Sequence, residues 1–114
     1  MENGKRPAVV LIHGFGACKE HWRFNQPFLG KITKCYGIDL LGFGQSSQPT
    51  ALLKGENINS GKFVYEFDSW ANQIADFVKN VIKEEVILIG NSIGGVVALR
   101  AAQLLSSSCK SIIL

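Results

Sequence analysis

The five residues Gly90-Asn91-Ser92-Ile93-Gly94, with Gly95 behind them, carry the clearest chemical signal in the sequence. A serine with glycine two residues before it and two after fits a sharp turn from a strand into a helix. Crowding explains the glycines. Such a turn forces Ser92 into a strained backbone conformation, and bulky side chains two positions away would collide. The hydroxyl then projects beyond the carboxyl ends of the strands, at the start of a helix. There the helix's positive end and the Ile93 N–H can stabilise an oxyanion. The chemistry this implies is nucleophilic attack on a carbonyl. The competing reading is a plain small-residue turn in which Ser92 caps the helix. A second glycine turn, His13-Gly14-Phe15-Gly16, closes an apolar run. Alone it reads equally well as an ordinary turn. Beside the serine turn it is expected to offer the Phe15 backbone N–H as a second oxyanion donor, with His13 holding the loop by hydrogen bonds.

Elements that could position these turns follow from the apolar pattern. Ala8 to Ile12 is a continuous, largely β-branched run, as in a strand covered on both faces. Lys34 to Leu40, Glu85 to Ile89 and Ser111 to Leu114 read as further strands. Between Lys19 and about Ile32, Trp22, Phe28, Leu29 and Ile32 recur at loosely helical spacing, and Pro27 interrupts them, predicting a short or kinked helix. Trp22, Phe24 and Phe28 are expected to pack rather than to form a stacking platform. Gly42 to Pro49 is a loop by composition, and residues 50–64 read as an exposed excursion. Phe67 to Lys83 is the clearest amphipathic helix, with Trp70, Ile74, Phe77, Val78, Val81 and Ile82 along one side and Asp68 or Ser69 as its cap. A last helix spans Ile93 to Ser106. The order β-α-β-(loop)-α-β-α-β predicts the α/β class, about four parallel strands with helices on both faces.

Composition narrows the functions available. A chain of 114 residues allows one domain, and 46% apolar with 18% charged residues fits a globular chain rather than a disordered one. No apolar run approaches the roughly 18 residues of a membrane span, and residues 1–5 do not resemble a signal peptide, so a soluble intracellular protein is expected. Twelve basic against nine acidic residues are spread along the chain without a basic stripe, which argues against nucleic acid. Cys18, Cys35 and Cys109 form no C-x-x-C pair and no Cys/His comb, so neither zinc nor a disulfide framework is expected. They read as small apolar fillers in a reducing compartment, although Cys18 lies beside a glycine loop. A dinucleotide loop starting at Gly14 and Gly16 would need glycine where Lys19 stands, and no glycine loop continues into G-K-[ST]. No cofactor and no metal are expected.

Three motifs in order then identify a family. His13–Gly16, the run Asp39-Leu40-Leu41-Gly42-Phe43-Gly44-Gln45-Ser46, and Gly90–Gly95 together resemble the α/β-hydrolase superfamily, in the branch that uses serine. His21-Trp22-Arg23 and Asn25 are similar to plant and cyanobacterial pheophytinase-like members. The resemblance covers essentially all 114 residues. It implies that the four strands are the third to sixth of an eight-stranded sheet, in spatial order second, first, third, fourth, without the outer strands or the cap that shapes the substrate pocket. It also implies that Asp39 holds the following glycine-rich loop rather than acting as the catalytic acid. Serine at position 92, rather than aspartate, disfavours epoxide or haloalkane hydrolysis.

One departure from the family pattern decides what the chain alone can do. In this fold the order is serine, then an acid, then histidine, yet no Asp, Glu or His follows Ser92. The two histidines, His13 and His21, both precede it, and the resemblance assigns neither to catalysis. The expectation is a single, incomplete α/β-hydrolase core over 1–114, the N-terminal part of a serine hydrolase acting on a small-molecule ester, thioester or amide, and nearly inert alone. Its site residues would be Ser92, the Phe15 and Ile93 amides, and the supporting His13, Gly14, Gly16, Asp39, Gly90, Asn91 and Gly94. The alternative is a non-catalytic binding or interaction module, or a truncated remnant of the fold. A chain that ends in an apolar strand is also expected to self-associate through its sheet edges. Cytoplasm and plastid both remain open as locations.

Overall fold

In a computed structural model of the chain, the described residues are 6–14, 19–44, 46 and 66–114. The unbroken apolar run Ala8–Ile12 forms strand β1, buried along its whole length. Burial on both faces is what such a run demands, since alternation of polar residues would have left one face for water. β1 pairs in parallel with β2 (Cys35–Ile38) on one side and with β3 (Val86–Gly90) on the other. A fourth strand, β4 (Cys109–Ile113), extends the sheet in parallel beyond β3. The order β2-β1-β3-β4 matches the expected one.

Connection handedness sets where the helices lie. The step from β1 to β2 runs one way across the sheet, and the steps to β3 and β4 run the other way. Right-handed crossovers therefore place α2 (Phe67–Phe77) and α3 (Ile93–Leu105) together on one face and the segment after β1 on the opposite face. Alternation along the strands feeds the larger core. Ala8, Val10 and Ile12 of β1 and Val86 and Leu88 of β3 join Ala71, Ile74 and Val78 beside α2 and Val97, Ala98 and Ala101 of α3. Fully buried side chains such as Leu88 and Ile74 each contribute about 1.5–3 kcal/mol by leaving water. Val9 and Leu11 point the other way and are buried as well.

Several expectations are corrected in detail. The helix around Pro27 is short, as expected, but Pro27 sits in the first turn of the four-residue α1 (Gln26–Leu29), where a missing N–H costs nothing, rather than partway along it. A 3-10 turn, Lys19–Trp22, precedes it. Phe24, Phe28 and Ile32 are exposed rather than packed, at 78%, 66% and 48%. The second strand is shorter than Lys34–Leu40, and β4 starts at Cys109 rather than Ser111. Neither Asp68 nor Ser69 caps α2: Glu66 occupies that position with an extended backbone and no side-chain capping bond, while Asp68 pairs with Arg100 at 2.8 Å. The amphipathic stripe runs through Ala71 and Ala75, and Val81 faces outward. α2 then loosens into a π-helical turn, Val78–Ile82, ended by Lys83 in the left-handed conformation. Cys35 and Cys109 are only half-buried, and that partial burial pushes both thiols above their ordinary titration range. Cys18 and the 50–64 excursion lie outside the described residues, as do positions 45 and 47–49 of the glycine-rich loop.

Candidate active site

The strand order reverses direction at β1, so the connections after β1 and β3 leave toward opposite faces of the sheet. A crevice opens between such strands at their carboxyl ends, and open α/β sheets bind ligands there. Both glycine turns singled out in the sequence start at this crevice.

The turn after β3 is the sharper of the two. Ser92 has φ 59° and ψ −124°, a region that side-chain-bearing residues rarely occupy. A strain of about 1–3 kcal/mol is held there by the packing around it. The glycines show why the packing tolerates nothing larger. A methyl group at Gly90 would overlap the Gly94 carbonyl, and one at Gly94 would meet the Ile12 carbonyl and come within 2.5 Å of the His13 carbonyl. The first turn of α3 is thereby pressed onto the end of β1, and Asn91 N–H donates to the Ile12 carbonyl at 3.2 Å. Ser92 and Asn91 are exposed, while Gly94 and Gly95 are buried. Ser92 makes no side-chain capping bond to α3, so the plain-cap reading of this serine has no support in its geometry. Ile93 opens α3, and its N–H has no carbonyl one turn back within the helix to bond. That leaves a donor at the positive end of a 13-residue helix, beside the serine hydroxyl.

The turn after β1 abuts it. A methyl built on Gly14 would lie 3.3 Å from Ser92 Cβ and 3.2 Å from the Asn91 carbonyl oxygen. Phe15 and Gly16 lie outside the described residues. His13 is completely buried, and both ring nitrogens are engaged. Leu40 N–H donates to Nε2 at 3.0 Å, so the proton is on Nδ1, which donates to the Gly14 carbonyl at 2.8 Å. A histidine used this way has no free nitrogen with which to take a proton from Ser92. His21 is exposed on the 3-10 turn, edge-on to Trp22.

Asp39 is buried at the end of β2. One strand separates β2 from β3, so its backbone and that of Ser92 belong to strand ends about 10 Å apart. Its Oδ1 accepts the Lys19 N–H at 2.5 Å, Lys19 Nζ stands 3.9 Å from Oδ2, and Gly44, at φ 54°, packs against the carboxylate so closely that a methyl there would lie 2.5 Å from Cγ. Asp39 thus holds the turn that follows it.

Sequence reasoning missed two residues of α2 that reach this same turn. Gln73 accepts from Leu41 N–H at 2.8 Å and donates to the Asp39 carbonyl at 3.1 Å, and Trp70 Nε1 donates to the Leu41 carbonyl at 2.9 Å. The only trace in the sequence is a glutamine next to the apolar stripe, three residues after a tryptophan.

Comparisons with known proteins agree with this fold. The sequence pattern of the alpha/beta hydrolase fold matches residues 7–114, and the chain belongs to that family. It is 32% identical over 117 residues to the chloroplastic pheophytinase of Arabidopsis thaliana, covering 86% of this chain and 24% of that protein. It is 30% identical over 118 residues to the 2-hydroxy-6-oxo-6-(2'-aminophenyl)hexa-2,4-dienoic acid hydrolase of Metapseudomonas resinovorans, covering all of this chain and 37% of that protein. Among solved structures, a meta-cleavage product hydrolase from Pseudomonas fluorescens superposes with a TM-score of 0.74 at 28% identity, over 96% of this chain and 37% of that one. The chain therefore spans roughly a quarter to somewhat over a third of the length of these relatives. Among the described residues no helix is long and apolar enough to cross a membrane, and no group of three or more His, Cys, Asp or Glu could hold a metal.

Proposed function

We propose that the chain is the nucleophile-bearing part of a serine hydrolase core, forming one incomplete domain over 1–114. Ser92 Oγ attacks the carbonyl of an ester, thioester or amide. The Ile93 and Phe15 N–H groups receive the developing oxyanion, the leaving group departs, and water releases the acyl group from Ser92. His13, Gly14, Gly16, Asp39, Gly90, Asn91 and Gly94 hold the two turns in place. The observation that carries this reading is the strained, exposed Ser92 at the head of α3, in contact range of the Gly14 turn. Its hydrolase relatives support the reaction class. The substrate is a small acyl compound, and the reaction needs no cofactor. A soluble compartment, cytoplasm or plastid, suits this chemistry.

The base is the missing part. His13 is fully hydrogen-bonded, and no His follows Ser92. Without a base the serine hydroxyl stays a weak nucleophile, leaving only the residual effect of the oxyanion donors and binding. That same observation favours a second reading for the isolated chain: a binding or interaction module, pairing with further copies through β2 and β4, the outermost strands among the described residues.

Hydrolysis of a p-nitrophenyl ester, with and without added imidazole as a surrogate base, separates the two. The hydrolase reading predicts near-background turnover alone and, above the hydrolysis that imidazole brings about without protein, an increment that disappears in Ser92→Ala. An increment that survives Ser92→Ala removes Ser92 as the nucleophile. Turnover at ordinary enzyme rates without imidazole contradicts the predicted inertness.

A further inference from the structure

Beyond the two turns themselves, we infer that Gln73 is a positioning residue for the Gly14 carbonyl in the turn after β1, acting on it through His13 although it lies on a helix at a different strand connection. The inference rests on the proposed role of the Gly14 turn beside Ser92.

Its basis is a relay of planar groups. In a trans peptide the C=O of one residue and the N–H of the next form a single rigid unit with the two pointing in opposite directions. The Asp39 carbonyl and the Leu40 N–H are one such unit. Gln73 Nε2 donates to its carbonyl at 3.1 Å, Ser46 Oγ donates to the same oxygen, and its N–H donates to His13 Nε2 at 3.0 Å. The peptide that begins with the Gly14 carbonyl is a second unit, and His13 Nδ1 donates to that carbonyl at 2.8 Å. The imidazole couples the two units, because a ring nitrogen that accepts on one side obliges the other to donate. Any rotation of the 39–40 unit therefore removes the bond that selects the His13 tautomer, and with it the bond that aims the second unit.

Gln73 is suited to prevent that rotation. Its amide uses its oxygen on Leu41 N–H and its nitrogen on the Asp39 carbonyl. Reversing the amide would set donor against donor and acceptor against acceptor, so one orientation alone satisfies both. Trp70, one turn earlier on α2, fixes the Leu41 carbonyl in the same way. α2 thus reads the end of β2 with two side chains, and the outcome is delivered at the end of β1.

The test is the 15N spectrum of the His13 ring together with amide hydrogen exchange, in the full chain and in Gln73→Met, which keeps the side-chain length and removes both hydrogen bonds. The relay predicts a pure Nδ1–H tautomer in the unaltered chain. In Gln73→Met it predicts a mixture of tautomers and Leu40 exchange faster by about tenfold or more. Faster exchange at Leu41 with Leu40 and the His13 spectrum unchanged would overturn it, because Gln73 would then only fasten the turn. Gln73→Glu supplies the same comparison where Gln73→Met does not fold, since it keeps the bond to Leu41 and loses the one to Asp39. A pure Nε2–H tautomer in the unaltered chain overturns the relay without any variant. None of these readouts uses the Ser92 hydroxyl, so failure of the relay and failure of the hydrolase reading are told apart.

Discussion

α3 has a serine in the same unusual conformation at each end. Ser92 precedes it with φ 59° and ψ −124°, and Ser106 follows it with φ 55° and ψ −125°. Both are exposed. Thirteen helical residues, about 20 Å of helix, lie between them. Their surroundings differ completely. Ser92 has Gly90 and Gly94 at two residues' distance, each pressed against carbonyls, and stands at the carboxyl ends of the strands where the strand order reverses. Ser106 has Leu104 and Ser108 at the same spacing, both exposed, and leads into a 3-10 turn at the amino end of the sheet. Its own N–H closes back on the Ala102 carbonyl. Strain alone therefore does not mark a site. The proposed reactivity belongs to the serine whose strain is enforced by close packing at the head of a helix.

The largest effect that separates the two ends is steric. Gly90→Ala should cost about 3 kcal/mol or more, since the new methyl overlaps the Gly94 carbonyl and neither backbone can yield. Leu104→Ala, at the matching position before Ser106, should cost about 1 kcal/mol or less at an exposed site. Urea denaturation midpoints check both, and equal losses would erase the contrast.

An intermediate effect comes from relaxing the strain itself. Ser106→Gly and Ser92→Gly should each stabilise the chain by about 1 kcal/mol, because the gain in backbone freedom of the unfolded chain offsets part of the relief. Only Ser92→Gly should abolish the imidazole-dependent ester hydrolysis. If Ser106→Gly also reduces that activity, the two ends are not independent.

The smallest effect lies at the amino ends of the strands, where Lys34 meets Glu84 at 3.0 Å. The hydrogen bond from Lys34 to Glu84, reinforced by the carboxylate's charge, raises the lysine above its ordinary value of 10.5. A raised lysine stabilises the fold at pH values below that ordinary value and loses its contribution as pH rises through the raised one. Thermal midpoints between about pH 9 and 12 should therefore fall slightly more steeply in the unaltered chain than in Glu84→Gln. Identical slopes would show that the exposed pair contributes nothing.

How much of this was legible in the sequence follows the same division. β1 and β3 announce themselves because strands covered on both faces must be apolar throughout. The Ser92 turn is legible because Gly90 and Gly94 record a steric conflict in the residue type itself. Ser106 has the same backbone with no glycine beside it, and so left no mark. Periodicity placed Phe28 and Ile32 on one side of a helix, but periodicity does not say whether anything covers that side, and both are exposed. The cap of α2 was misread because Asp68 is drawn instead to Arg100, a partner 32 residues away. Gln73 was invisible for the same reason, since its partners on the turn after β2 lie more than 30 residues earlier. The family resemblance supplied the strand order, which no local pattern encodes.

The most direct test of the central claim is peptide-mapped labelling of the chain by a fluorophosphonate, comparing Ser92 with Ser106 in the same sample. Residual activation by the oxyanion donors predicts that Ser92 carries nearly all of the adduct, slowly on its own and faster with added imidazole, with none at that peptide in Ser92→Ala. Adduct shared evenly between Ser92 and Ser106, or indifferent to imidazole, would contradict the account.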